Sequence, residues 1–205
     1  MSLMTLRLAA LGALIPVFVA YADAPFATFG QRFVAHRWAE RMVLFSIELN
    51  LLLLWMLAKL TVSRDAGVAP ESLRLACACA GLLLAWAAAA LAVWAKLALG
   101  RSFTASFAVR PDHALVTHGP YAIVRHPMYT AFVALLLGLA IAWDSWVSVG
   151  FALLYAAASW LHTAIEEPML ESHFGDAWRE YRARVPRMVR GWPQHRAAPL
   201  QRSDA

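Results

Sequence analysis

Charge is what this chain has least of. Only 15% of its 205 residues are Asp, Glu, Lys or Arg, while 61% are hydrophobic; a soluble domain carries about a quarter charged residues. The apolar excess is gathered into long runs, which is the pattern of a membrane protein. Cysteine is also scarce, with Cys77 and Cys79 alone. Two residues apart in an apolar run, they face different directions on a helix. That argues against a disulfide or thiolate metal site and leaves both as small packing residues. His36, His118, His173 and His195 have no metal-ligand spacing, so no metal is expected. A Walker loop, a Rossmann glycine fingerprint, a zinc motif and a serine elbow are all missing, as is any internal repeat.

What is present is a set of five apolar segments, at about 6–21, 42–62, 73–99, 127–143 and 146–167. They predict an all-α integral membrane bundle of five transmembrane helices. The first is short, and with Arg7 and Ala20-Tyr21-Ala22 it imitates a signal peptide; a retained first span is preferred over a cleaved leader. Alanines between 85 and 92 would let neighbouring helices approach closely. Asp144-Ser145 leaves so tight a link that the last two segments should form an antiparallel hairpin. Residues 26–40 read as a surface amphipathic helix or an ordinary loop. Lys96, within the third segment, could snorkel to the interface.

Arginine is distributed unevenly. Arg32, Arg37 and Arg41 fall in one loop, Arg101, Arg110 and Arg125 in another, and Arg179, Arg182, Arg184, Arg187, Arg190, Arg196 and Arg202 in the tail. The other side has Arg7, Arg64 and Arg74. The positive-inside rule then puts the C-terminus in the cytoplasm, in a bacterial inner membrane. The basic tail suits anionic headgroups better than nucleic acid.

Chemistry is concentrated between Gly119 and Tyr129 and at Glu166-Glu167. Proline is favoured at the first position of a helix and forces the residue before it out of the helical region. His126 should therefore be extended at the mouth of the fourth segment, with Arg125 beside it. The helix N-terminus adds partial positive charge and free N–H groups. Together these suit a carboxylate-bearing ligand, or equally lipid phosphates. Tyr121 and Tyr129 offer flat faces and hydroxyls, for a ring or for interfacial anchoring. Glu166 and Glu167 repel one another at a helix end whose dipole disfavours them, and Pro168 should stop or kink that helix. Such a pair points to a cationic or hydroxyl-bearing ligand, or to a salt bridge with Arg101 or Arg125. His162 lies one turn before Glu166 on the same face, to orient a substrate, take a proton, or hydrogen-bond Glu166.

At these residues the chain resembles the isoprenylcysteine carboxyl methyltransferases and the related membrane phospholipid N-methyltransferases. The matching features run from Leu99-Gly100-Arg101-Ser102-Phe103 through His113-Ala114-Leu115-Val116, Gly119-Pro120-Tyr121, Arg125-His126-Pro127-Met128-Tyr129, Glu166-Glu167, Phe174-Gly175 and Tyr181 to Val185-Pro186. The resemblance implies S-adenosyl-L-methionine as methyl donor, held in a cytoplasmic pocket of the membrane bundle. It implies donor-binding roles for Ser106, His113, Ala114, Leu115, Val116, Tyr121, His126, Pro127, Met128, Tyr129 and Glu166; the residues themselves add Glu167 to the donor-binding candidates and make Arg125, His162 and Glu166 the candidate catalytic residues. Prenylcysteine-methylating members carry an arginine where this chain has His162, and an imidazole is a poor substitute for a bidentate carboxylate clamp. The expected function is methyl transfer to a lipophilic or membrane-associated acceptor, with a phospholipid amine or small thiol as alternative. An NADPH-dependent reductase or a non-enzymatic membrane protein is more distant. One domain is expected over 1–205, with three N-terminal spans within 1–98, a cofactor-binding core over 99–190 and a flexible tail over 191–205. The acceptor and the oligomeric state are not legible.

Overall fold

The computed structural model describes residues 2–21, 69–102 and 114–188. The expected second span, the 26–40 segment, Ser106, His113 and the far tail lie outside them. The described residues form helices and turns with no strand. In chain order these are α1 (Leu3–Leu11), α2 (Leu14–Tyr21), α3 (Arg74–Leu99), α4 (Pro127–Trp143), α5 (Trp146–Phe174) and α6 (Asp176–Arg184). Short 3-10 turns at Glu71–Leu73, Gly100–Ser102 and Gly119–Ala122 accompany them. Among the described residues three stretches are long and apolar enough to cross a membrane: Leu3–Tyr21, Glu71–Leu99 and Trp146–Phe174. Pro127–Trp143 is a shorter apolar helix of 17 residues.

The first stretch is broken between α1 and α2. Pro16 has no N–H to return to the Gly12 carbonyl four residues back. The chain instead makes tighter bonds there, from Ala13 N to Ala10 O and from Ile15 N to Gly12 O. Proline has the opposite outcome in α5. Of the stop or kink expected at Pro168, the stop does not occur, because α5 runs through it to Phe174. One backbone bond is lost, and the flanking turn is held by the ion pairs of Glu167 and Glu171 described below.

The core is built mostly from alanine. Ala10 and Ala13 meet Ala85, Ala88, Ala89 and Ala92 of α3, and these meet Ala131, Leu135, Leu139 and Ala142 of α4. At the crossing of α3 and α4, Gly81 and Ala85 face Gly138 and Ala142. A Cβ added at Gly138 would lie 2.6 Å from the Ala85 nitrogen, and one at Gly81 would collide with the Ala142 backbone. Small residues four apart let the two backbones touch, the close-packed geometry expected of the alanine-rich segment. Lys96 does not reach outward as its position suggested. It is buried in the last turn of α3, where the helix carbonyls favour a cation.

One end of the bundle is tied by polar contacts. Asp144 takes the left-handed conformation (φ 54°) between α4 and α5, and Ser145 caps α5 by accepting from Ser148 N at 3.4 Å. The Asp144 carboxylate accepts from Ala69 N at 2.7 Å and pairs with Arg74 Nε at 3.3 Å. Arg7 donates to the carbonyls of Ala142 and Trp143 at 3.2 and 3.1 Å, satisfying groups that the end of α4 leaves open. Gly138→Leu should cost about 1–3 kcal/mol or more through overpacking. Gly150→Ala, at a position with open space around it, should be neutral or slightly stabilising. Thermal unfolding in detergent would test the pair, and equal melting temperatures would refute the close-contact account.

Candidate active site

The opposite end of the bundle carries the polar residues. Gly119 (φ 61°) admits the chain to the Gly119–Ala122 turn, where the space a side chain would take is bounded by Trp94 and Ala98 of α3. Ala114, Leu115 and Val116 lie in irregular chain just before it, exposed or half-buried. Tyr121 is buried, and its carbonyl accepts from the Tyr181 hydroxyl at 2.6 Å. Burial pushes both phenols above the ordinary tyrosine range, so each is a neutral hydrogen-bonding group. The turn leads to Arg125 and His126. As Pro127 dictates, His126 is non-helical (φ −123°, ψ 62°) and α4 starts at Pro127. Met128 and Tyr129, in the first turn of α4, are half-buried.

The backbone of Arg125 and His126 does not face water. Arg125 N donates to Pro186 O at 2.8 Å and His126 N to Arg187 O at 2.9 Å. Thr130 Oγ1 lies 3.1 Å from the His126 carbonyl and 2.9 Å from that of Met188. A strap of chain beyond α6 thus runs alongside the corner. Pro186 keeps Val185 extended, so its neighbours' carbonyls are free to accept.

The side chains converge on one carboxylate. Glu167, only 3% exposed at its side chain, accepts from Arg125 Nη2 at 2.7 Å and Nε at 3.1 Å. It also takes Arg187 Nη2 at 2.7 Å and Nε at 3.0 Å, with His126 Nε2 at 3.3 Å. The remaining Arg125 nitrogen, Nη1, donates to the carbonyls of Arg182 and Val185. Every nitrogen of that guanidinium is therefore committed to protein. Burial draws the Arg125 pKa down and Glu167 opposes the shift; a guanidinium stays charged regardless. Arg187 continues outward, its guanidinium 4.8 Å from the Trp160 ring centroid.

Glu166 points elsewhere. On a helix, adjacent residues diverge by about 100°, and Glu166 faces Tyr129, which hydrogen-bonds its carboxylate. His126 Nδ1 lies 3.7 Å from Oε2, beyond a hydrogen bond. That oxygen is buried and has no hydrogen-bond partner, although the side chain as a whole remains 26% exposed. The Tyr129 ring stands between two histidines, 5.9 Å from His126 and 6.1 Å from buried His162, centroid to centroid. His126 therefore bridges the two glutamates, Nδ1 towards Glu166 and Nε2 towards Glu167. The salt bridge expected between the glutamate pair and Arg125 exists, and Glu167 makes it.

Arg187 and Thr130 belong to this corner and were not singled out from sequence. Arg187 reads as one more basic tail residue, and only the Val185-Pro186 dipeptide marks the strap. Below Glu167, Glu171 binds Arg179 at 2.9 Å and Arg182 at 3.1 Å, fixing α6 against α5.

Residues 76–177 match the family described as phospholipid methyltransferase. The match begins in α3 and covers the Gly119 turn, α4 and α5, and the start of α6. It stops before the strap. Among curated relatives, the protein-S-isoprenylcysteine O-methyltransferase of Schizosaccharomyces pombe is 38% identical over 98 residues, 45% of this chain and 40% of that protein. Protein-S-isoprenylcysteine O-methyltransferase B of Arabidopsis thaliana is 36% identical over 98 residues, 45% of this chain and 48% of that one. The Tribolium castaneum protein-S-isoprenylcysteine O-methyltransferase is 37% identical over 78 residues, 36% and 27% respectively. The chain spans less than half the length of these relatives.

Glu167→Ala would leave two guanidiniums facing each other without their anion. It should destabilise the protein by about 3–5 kcal/mol, the usual cost of breaking a buried pair. Glu171→Ala, at a partly exposed pair, should cost about 1 kcal/mol or less. Detergent melting curves of the two variants would compare them, and a Glu167→Ala protein as stable as Glu171→Ala would contradict the buried-hub description.

Proposed function

We propose that the protein is an integral membrane methyltransferase that uses S-adenosyl-L-methionine and a lipophilic acceptor. One observation carries the reading: the buried Glu166 Oε2 makes no hydrogen bond in a corner where Tyr129, His126 and His162 meet. A buried carboxylate oxygen without a donor is costly, and a ligand bearing an ammonium or hydroxyl groups would satisfy it. The donor molecule has an ammonium, two ribose hydroxyls, a carboxylate and a flat ring, so the residues present fit it. The names of the relatives support methyl transfer, and the likeness of the core segment supports the same site.

When bound, S-adenosylmethionine supplies an electrophilic methyl group on a sulfonium. The protein's residues hold and orient. Glu166 accepts from the donor's polar hydrogens. Tyr129, Tyr121, Met128 and Pro127 form walls, and Ala114, Leu115 and Val116 lie just before the Gly119 turn; Ser106 and His113 keep the donor-binding roles that the resemblance implies. Arg125 and Glu167 act from behind by fixing His126 and the mouth of α4. Little acid–base work is intrinsic to a methyl displacement, so alignment and exclusion of water dominate. His162, beside Tyr129, orients the acceptor or takes its proton.

In this reading α4 and α5 are a hairpin whose site end faces the cytoplasm. The acceptor is a lipid-anchored or lipidic group entering between helices. The names of the relatives favour an isoprenylated cysteine, and the name of the family favours a phospholipid amine as the second reading. His162, in place of a guanidinium clamp, fits the amine better than the carboxylate.

Calorimetric titration of the detergent-solubilised protein with S-adenosylhomocysteine should give a one-site isotherm. Glu166→Ala should weaken it about tenfold or more, the worth of one charge-assisted hydrogen bond. Binding of NADPH instead, or of neither, would defeat the proposal. His162→Ala should preserve that affinity and lower turnover about tenfold or more. An unchanged rate would remove His162 from the mechanism. Mass spectrometry of lipids that gain a methyl group on expression would name the acceptor class.

A further inference from the structure

We infer that Arg187 is a positioning residue of the donor site, and that the strap 185–188, outside the segment matched to the family, sets the site's shape. The inference rests on the donor reading above. Arg187 grips both Glu167 oxygens, at 3.0 Å to Oε1 and 2.7 Å to Oε2. Arg125 and His126 reach the same carboxylate through Oε1 alone. Arg187 therefore fixes the tilt of the carboxylate plane. That plane sets the distance to His126 Nε2, and the other nitrogen of the same ring faces Glu166 Oε2 at 3.7 Å. The imidazole is rigid, so a rotation of Glu167 moves Nδ1 relative to the oxygen that would meet the ligand. The backbone of the strap acts on the same ring. Arg187 O holds His126 N, Pro186 O holds Arg125 N, and Met188 O holds Thr130 Oγ1. These contacts approach His126 from its backbone and from its side chain at once. The fork geometry of arginine makes the two-oxygen grip, which a point charge would not reproduce. Arg187 is 23% exposed at its side chain and stacks on Trp160, so it is reachable from the rim and is not sealed in the core.

The test measures affinity and stability together on the full-length protein in detergent, with S-adenosylhomocysteine as probe. Arg187→Ala should weaken binding about tenfold, and Arg187→Lys should lie between it and wild type. Thr130→Val, which keeps the shape and deletes the bond to Met188, should weaken binding in the same direction. Arg187→Ala combined with Glu167→Gln should lose no more affinity than the larger single effect, because the two act through one contact. A staple with no positioning role would lower the melting temperature and leave the dissociation constant where it was; that result overturns the inference. If Arg187→Ala fails to fold, Arg187→Lys decides, and wild-type affinity in a folded Arg187→Lys protein overturns it equally. Wild type that fails to bind the probe overturns the donor reading and this inference with it. Wild type that binds, with unchanged affinity in the variants, overturns this inference alone.

Discussion

A single carboxylate organises the polar end of this molecule. Glu167 sits at the close of an apolar helix, almost wholly removed from water, and serves two guanidiniums and an imidazole. In a low-dielectric setting a lone charge there would be prohibitive. With its partners present, the cluster joins three places distant in sequence: the corner at the mouth of α4, the last turns of α5 and the strap after α6. Its members are tied to backbone as well as to each other. Arg125 Nη1 reaches the carbonyls of Arg182 and Val185, and the strap returns the favour by accepting from the Arg125 and His126 amides. The ion pairs and the backbone pairing hold the same corner from two sides.

Glu166, its neighbour in sequence, is left with the opposite character. The helix turns it toward Tyr129 and His162 and away from the arginines. Both guanidiniums of the corner engage Glu167, and Glu166 keeps an oxygen with no hydrogen-bond partner. The contrast arises from a rotation of one residue along the helix. A pair that looks redundant in sequence divides into one group gripped by two arginines and one with a buried oxygen left without a hydrogen bond.

Much of this was legible in the residues. The apolar runs placed α3 and α4 closely, because helix ends in a membrane are written by Pro127, by Gly100 and by the polar Asp144-Ser145 link. The alanine-rich stretch announced close packing, and Arg-His-Pro announced an extended histidine at a helix mouth. Other features required three dimensions. Pro168 carried a breaker's signal, yet the turns around it are held by Glu167 and Glu171, so tertiary ion pairs outweighed one lost backbone bond. Which glutamate would meet Arg125 could not be read from adjacency, since helical phase matters only once α5 has a place against α4. Arg187 looked like one of many tail arginines, and its pairing depends on the strap doubling back past α6.

The meeting of α3 and α4 forbids as much as it holds. Where Gly81 and Gly138 bring two main chains together, no side chain stands between them to be lengthened, shortened or rotated. Such a joint can slide little and can be re-cut less. The glycine seam is a fixed jaw, and adjustment falls to those parts of the bundle where side chains still stand between the backbones.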